Sequence, residues 1–261
     1  MAAAYSLEPE PDRPTLPERF VRAATAEEAV EQLAADLFVH IQNCVRAFGD
    51  CHLAMSSGAS IERVCHVLML DPQFRPLPWK RVRIWAAVDT IGSWPTSGML
   101  DDLLVAHADV PAAQCHTPRD AVSAEAYGET LREQLGWRER GHDRIDAVVL
   151  DVEAMGLIES LGRRHGSART APLACEATSG SGPGPGAGPG AGAESGARSF
   201  VAINPAVVRA ARLVSVSAFG GDAREAVGRE RVREEADGLT MLGGSLRWYV
   251  DAASWPSESP S

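Results

Sequence analysis

Apolar positions along the chain fall into two alternating rhythms. From Thr25 the rhythm is helical: Val30, Leu33, Leu37, Ile41 and Val45 share one face of about five turns, and Thr25 with Glu28 three positions later forms a capping box at the start. Phe48 and Gly49 end that helix. Cys51 to Ser56 (CHLAMS) is a short apolar run suited to a buried strand leading into the turn Ser57-Gly58-Ala59-Ser60, after which Ile61, Val64, Cys65 and Leu68 resume helical spacing. The alternation continues. Arg81 to Val88 predicts a strand, Leu100 to His107 and Ala121 to Leu135 predict helices, and Ile145 to Val152 predicts a fully buried strand. Later, Phe200 to Ile203 and Arg212 to Phe219 predict strands around a helix from Pro205 to Ala211, and Leu246 to Ala253 predicts a closing helix. Strands alternating with helices of these lengths imply right-handed crossovers and a mostly parallel sheet flanked by helices on both faces. The expected fold class is α/β.

Where the rhythm fails, the chain is expected to be disordered or to end. Residues 1–20 are rich in Pro and Glu without a period, and are read as a flexible tail before a single domain spanning 21–254. Residues 166–198 shift to Gly, Pro, Ala and Ser, which lack apolar anchors to offset ordering entropy, and are read as a disordered loop inside that domain. Two strands and two helices after the loop would form a meagre core alone, so they are expected to complete the earlier sheet. Residues 255–261 are read as a C-terminal tail. The start carries no basic segment followed by an apolar one, and no window approaches eighteen uninterrupted apolar residues, so a soluble cytoplasmic protein is expected.

Charge narrows the partners. Lys and Arg number 25 against 35 Asp and Glu, a net charge of -10 that repels phosphate backbones and anionic lipid, so neither nucleic acid nor membrane is an expected partner. A phosphorylated small molecule remains compatible, because backbone N–H groups can hold an anion locally. The five cysteines form an odd set without a C-x-x-C pair, which points away from a zinc site and a disulfide framework. Gly220-Gly221 is not part of a G-x-G-x-x-G fingerprint, and no G-x-S-x-G elbow is present. No cofactor and no metal is expected.

Four segments, in order, resemble the 6-phosphogluconolactonase family, a relative of the glucosamine-6-phosphate isomerases. HLAMSSGASIERVCHVL, from His52, is similar to a strand and phosphate loop of the form L-A-L-S-G-G-S-T-P. WKRVRIWAAVDTI, from Trp79, stands where the family has a tryptophan, a strand and Asp-Glu-Arg. IDAVVLDVEAMGLIESLG, from Ile145, takes the place of a strand followed by L-G-M-G-x-D-G-H-T-A-S-L-F. VAINPAVVRAARLVSVSAFGGDAREAV, from Val201, resembles a proline-containing helix, strand and glycine turn.

The resemblance implies a protein of the oxidative pentose phosphate pathway that binds or hydrolyses 6-phospho-D-glucono-1,5-lactone. Substrate and phosphate binding are implied for Ser56, Ser57, Gly58, Ser60, Gly156, Ser160 and Arg212, and Asp89 falls on the acid of Asp-Glu-Arg. Independently, a strand ending in Ser-Ser-Gly-Ala-Ser and opening a helix aims N–H groups and hydroxyls at one point, although Ser60 could equally serve as a cap and Gly58 as a turn residue. The family's Asp-Gly-His becomes Met155-Gly156-Leu157, followed by Ile158, so the proton-accepting histidine is replaced by Leu157 and its aspartate by Met155. Losing a positioned base costs about two to four powers of ten in rate. Catalysis is therefore expected to be weak or lost, the alternative being a non-catalytic pseudoenzyme that partners another enzyme of the pathway. His165, eight positions after Leu157, is a candidate substitute base; Glu153 and Glu159 flank the same turn, with surface solvation as the default for both, and Arg224 adjoins Ala223, where the family often carries a lysine.

Overall fold

The computed structural model describes residues 19–139, 142–165, 173–179, 198–235 and 244–256. In chain order the strands are β1 (Phe20–Arg22), β2 (Cys51–Met55), β3 (Val82–Ala86), β4 (Val88–Thr90), β5 (Cys115–His116), β6 (Ala147–Asp151), β7 (Ala174–Ser179), β8 (Arg198–Ile203), β9 (Leu213–Ala218) and β10 (Ser245–Val250). The helices are α1 (Ala26–Phe48), α2 (Ala59–Leu70), α3 (Pro95–Met99), α4 (Ala124–Leu135), α5 (Val152–His165), α6 (Pro205–Ala210) and α7 (Arg224–Glu235), with a π-helical stretch, Leu100–Val105, following α3. Among the described residues no helix is long and apolar enough to cross a membrane.

Seven strands form a parallel sheet in the order β1-β10-β9-β6-β2-β3-β5, and β4-β8-β7 form a second, antiparallel sheet. The α/β expectation holds. Burial on both faces explains why β6 reads as a continuous apolar run: Ala147 and Val149 enter one core cluster while Val148 and Leu150 enter the other. Val30, Leu33, Leu37 and Ile41 of α1 face the first cluster with Ile61, Val64 and Leu68 of α2; Leu131 of α4 and Met155, Ile158 and Leu161 of α5 face the second. The Thr25 half of the α1 capping box is made as the spacing predicts, its side chain accepting from Glu28 N at 3.2 Å, while Glu28 Oε2 accepts from Ala24 N, one residue before the cap, at 2.8 Å.

Four elements depart from the expectation: Arg81 to Val88, expected as one strand, divides into β3 and β4, which belong to different sheets, and three more differ. Leu246 to Ala253 does not form a helix: Ser245–Val250 is β10, flanked by parallel β1 and β9, and its alternation places Trp248 in one cluster and Tyr249 in the other. A short, mostly apolar stretch satisfies both rhythms, and pairing on both sides decides for the strand. Phe20–Arg22 forms an edge strand at the border of the expected N-terminal tail. Ala174–Ser179 forms β7 within the span expected to be a loop, because β8 offers it an antiparallel partner; it packs on α4 so closely that a Cβ on Gly128 would meet Ala174 N at 2.8 Å. The rest of the Gly/Pro/Ala segment, most of the N-terminal tail and residues 257–261 lie outside the described residues.

The amino-terminal edge of the sheet is closed by ions. Asp146, fully buried just before β6, takes Arg138 in a bidentate pair at 2.9 and 2.8 Å, Arg212 Nε at 3.1 Å and the backbone N–H of His52 at 2.7 Å. Both guanidinium groups lie over the Phe48 ring, at 5.0 and 4.5 Å from its centroid. Removing one partner of such a cluster leaves buried charge uncompensated. Asp146→Ala should lower the unfolding free energy by about 3–5 kcal/mol. Urea denaturation checks this, and a loss under about 1 kcal/mol, the worth of an exposed pair, would contradict it.

Candidate functional site

The order of the strands creates one reversal. The chain runs outward from β2 through β3 to β5, then returns to the other side of β2 as β6 and continues through β9 to β10. In open α/β sheets, connections that leave two neighbouring strands in opposite directions open a crevice at their carboxyl ends, and ligands collect there. Here the crevice lies between β2 and β6, where the Ser56–Ser60 turn follows β2 and Asp151 ends β6.

The turn is tied to every element around it. Ser56 N donates to Val149 O at 3.0 Å, and Asp151 N donates to Ser56 Oγ at 3.1 Å, so the β2–β6 link continues past the strand end. Ser57 N donates to Thr96 Oγ1 at 3.0 Å. Ser60 Oγ meets Ser217 Oγ of β9 at 2.7 Å. Gly58 opens α2 at φ 132 and ψ 150, with no side chain capping the helix, so the first amides of α2 face the crevice without a side-chain acceptor. That backbone is accessible essentially to glycine alone. Space demands glycine too, since a Cβ there would come within 2.6 Å of Asp151 Oδ2.

Asp151 is a candidate site residue that sequence reasoning missed. Its Oδ1 accepts from Ala154 N at 2.7 Å at the start of α5, while Oδ2 lies against Gly58 and accepts no hydrogen bond among the described residues. Burial pushes its carboxyl up to about 6, against the Ala154 N–H bond that favours the charge and with the help of Glu153 nearby. The available signal was an acid closing an apolar strand just before a helix. That position matters at a carboxyl edge, yet Asp151 was read as part of the strand.

The other expected residues distribute as follows. Asp89 is buried, and both its oxygens are engaged: Oδ1 by Thr90 N at 3.1 Å and Thr96 N at 3.0 Å, Oδ2 by Ser97 N at 2.9 Å and Ser97 Oγ at 2.5 Å. It anchors the turn into α3. Met155 and Ile158 do not line the crevice; they face a small apolar pocket with Pro205, Val208, Val214 and Leu246. Leu157 packs half-buried against the same core, and Gly156 is exposed. α5 begins at Val152 and turns these side chains inward, onto the core. Ser160 Oγ donates to Leu157 O at 2.7 Å within its own helix. Arg212 precedes β9 and is bound to Asp146, so it lies at the opposite edge from the serine turn, roughly 16 Å away for a five-residue strand. Arg224 donates to Ala253 O at 2.8 Å, and Glu153 is exposed. The side chain of His165 lies outside the described residues. Cys44, Cys51 and Asp146 bring ligand atoms within 4.8 Å of one another, but both carboxylate oxygens are engaged by Arg138, Arg212 and His52 N. The group is an ion-pair cluster.

Two outcomes follow from the Gly58–Asp151 contact. Gly58→Ala should destabilise the fold by about 1–3 kcal/mol, measured by urea denaturation, and an unchanged midpoint would refute the strain at that position. Asp151→Asn keeps an acceptor for Ala154 N–H and removes the buried charge. Because the folded carboxyl titrates above its ordinary 3.8, the stability held by its neutral form is present below that value and lost as pH rises through about 6. The variant should therefore be more stable at pH 8, by about 2–3 kcal/mol, with the gain shrinking as pH falls toward 4. A gain independent of pH in thermal melts would contradict this.

Comparisons with known proteins agree with the geometry. No curated protein matches the chain. Among solved structures, 6-phosphogluconolactonase from Trypanosoma cruzi is 14% identical with a TM-score of 0.64, covering 90% of this chain and 95% of that one. The Plasmodium vivax 6-phosphogluconolactonase is 9% identical with a TM-score of 0.66, covering 89% and 90%. The Leishmania guyanensis 6-phosphogluconolactonase is 15% identical with a TM-score of 0.62, covering 92% and 98%. These likenesses establish a shared fold. The family model for glucosamine-6-phosphate isomerases/6-phosphogluconolactonase matches residues 24–161, more than half of the chain, and the chain belongs to that family.

Proposed function

We propose that the protein binds 6-phospho-D-glucono-1,5-lactone at the crevice between β2 and β6 and hydrolyses it, as part of the oxidative pentose phosphate pathway in the cytoplasm. The observation that carries this reading is the Ser56–Ser60 turn at the one reversal of strand order, with the first amides of α2 lacking a side-chain cap and a glycine imposed at position 58. Ser56, Ser57, Gly58 and Ser60 form the substrate-binding turn. The family membership and the shared fold support the substrate class. A reducing compartment suits the five cysteines, all of which are free thiols. Turnover is below that of family members with the intact Asp-Gly-His, since Met155 and Leu157 offer no proton acceptor and pack on the core.

A second reading, a non-catalytic protein that partners another pathway enzyme, draws on the same burial of Met155 and Leu157. Turnover separates the two. Purified protein should accelerate the disappearance of freshly generated lactone above the buffer rate, and 6-phosphogluconate at one hundred times its dissociation constant should add about 2.7 kcal/mol of stability in a thermal shift. A buffer-level rate with a clear thermal shift favours the non-catalytic reading; neither effect would sink both assignments of the crevice.

A further inference from the structure

We propose that Asp151 is the general base of the lactone opening, taking over at the end of β6 the proton transfer that Leu157 cannot perform. The inference rests on the lactonase reading above and deepens it. Asp89, Asp251 and Asp151 stand at the carboxyl edge. Asp89 has both oxygens taken by four donors, and Asp251 receives Gly220 N at 3.0 Å and Ser254 N at 2.8 Å. Asp151 differs, because among the described residues only Oδ1 accepts a hydrogen bond, from Ala154 N, while Oδ2 packs against Gly58 of the turn without one. Its backbone is fixed as well, through the bond from its N–H to Ser56 Oγ. The carboxyl is thus held by a hydrogen bond at one oxygen, while the other lies against Gly58, where a Cβ on residue 58 would stand.

The surroundings suit proton exchange near neutral pH. Burial has raised this carboxyl to about 6, close to where a general base is most effective. Glu153 pushes in the same direction from α5, while the facing groups of the turn and of β9, namely Ser56, Ser57, Ser60 and Ser217, carry no charge.

The chemistry balances as follows. A water oxygen bonds to the lactone carbonyl carbon while its proton passes to Asp151 Oδ2, leaving a tetrahedral oxyanion. The bond from that carbon to the ring oxygen then breaks, and the proton on Asp151 passes to the departing oxygen. The product is the open-chain acid, which ionises in solution. One negative charge sits near the amino terminus of α2 throughout, first on Asp151 and then on the oxyanion, so the helix dipole favours both states. A phosphate beside an ionised Asp151 would instead meet like-charge repulsion, strengthened by the withdrawal of the site from water. The turn therefore takes the lactone carbonyl, and the phosphate extends away from it.

The test compares wild type with Asp151→Asn, which retains the acceptor for Ala154 N–H and hence the start of α5. Initial rates are followed with freshly generated lactone, and binding is followed by calorimetry with 6-phosphogluconate, whose carboxylate would lie against Asp151. The proposal predicts that Asp151→Asn loses at least a hundredfold of the enzymatic rate with KM little changed, while its affinity for 6-phosphogluconate rises tenfold or more. A merely structural role for Asp151 would not tighten binding of the product. Turnover by Asp151→Asn equal to wild type would overturn the base assignment and leave the lactonase reading standing. Neither turnover nor binding by wild type would remove the lactonase reading, and the base with it.

Discussion

The parallel pairing of β2 with β6 is the constraint on which the rest depends. Leu53, Ala54 and Met55 register against Ala147, Val148 and Val149, and the ladder is prolonged by Ser56 N to Val149 O and Asp151 N to Ser56 Oγ. Chain segments that leave these two strands travel to opposite flanks of the sheet, the arrangement that opens a crevice above their carboxyl ends. A turn that must hug a neighbouring carboxylate follows directly. Gly58 is the local answer to that crowding, in both backbone angle and lack of a side chain.

The two ends of β6 show how one residue type is used in opposite ways. Asp146, at the start, is fully buried and meets donors from two guanidinium groups and a backbone amide, an arrangement that holds the sheet edge shut. Asp151, at the end, is largely withdrawn from water yet given a single donor to its carboxyl, which raises its affinity for a proton. Full satisfaction stabilises the first edge. Incomplete satisfaction leaves the second with chemistry to perform, at a cost to stability that grows with pH.

Much of the fold was legible because burial imposes period. The stripe of α1, its capping box and the apolar run of β6 each have one physical solution. Leu246 to Val250 has two, since a short apolar stretch fits a helix face or a strand buried on both sides, and only the presence of β1 and β9 decides between them. The turn after β2 was legible from its Ser-Ser-Gly-Ala-Ser pattern. Arg212 was not, because a basic residue before a strand looks the same whether it awaits a phosphate or is already bound to Asp146. Asp151 was not legible because the family's Asp-Gly-His falls four to six residues further on, at Met155 and Leu157, which the helix turns into the core. Proton affinity depends on burial, and burial is a property of the assembled crevice.

The most direct measurement is a crystal structure of the protein with 6-phosphogluconate bound. The account predicts ligand density between the carboxyl ends of β2 and β6, with the C1 carboxyl against the first amides of α2 and within hydrogen-bond reach of Asp151 Oδ2. Density at another face of the molecule, or with C1 remote from Asp151, would contradict it.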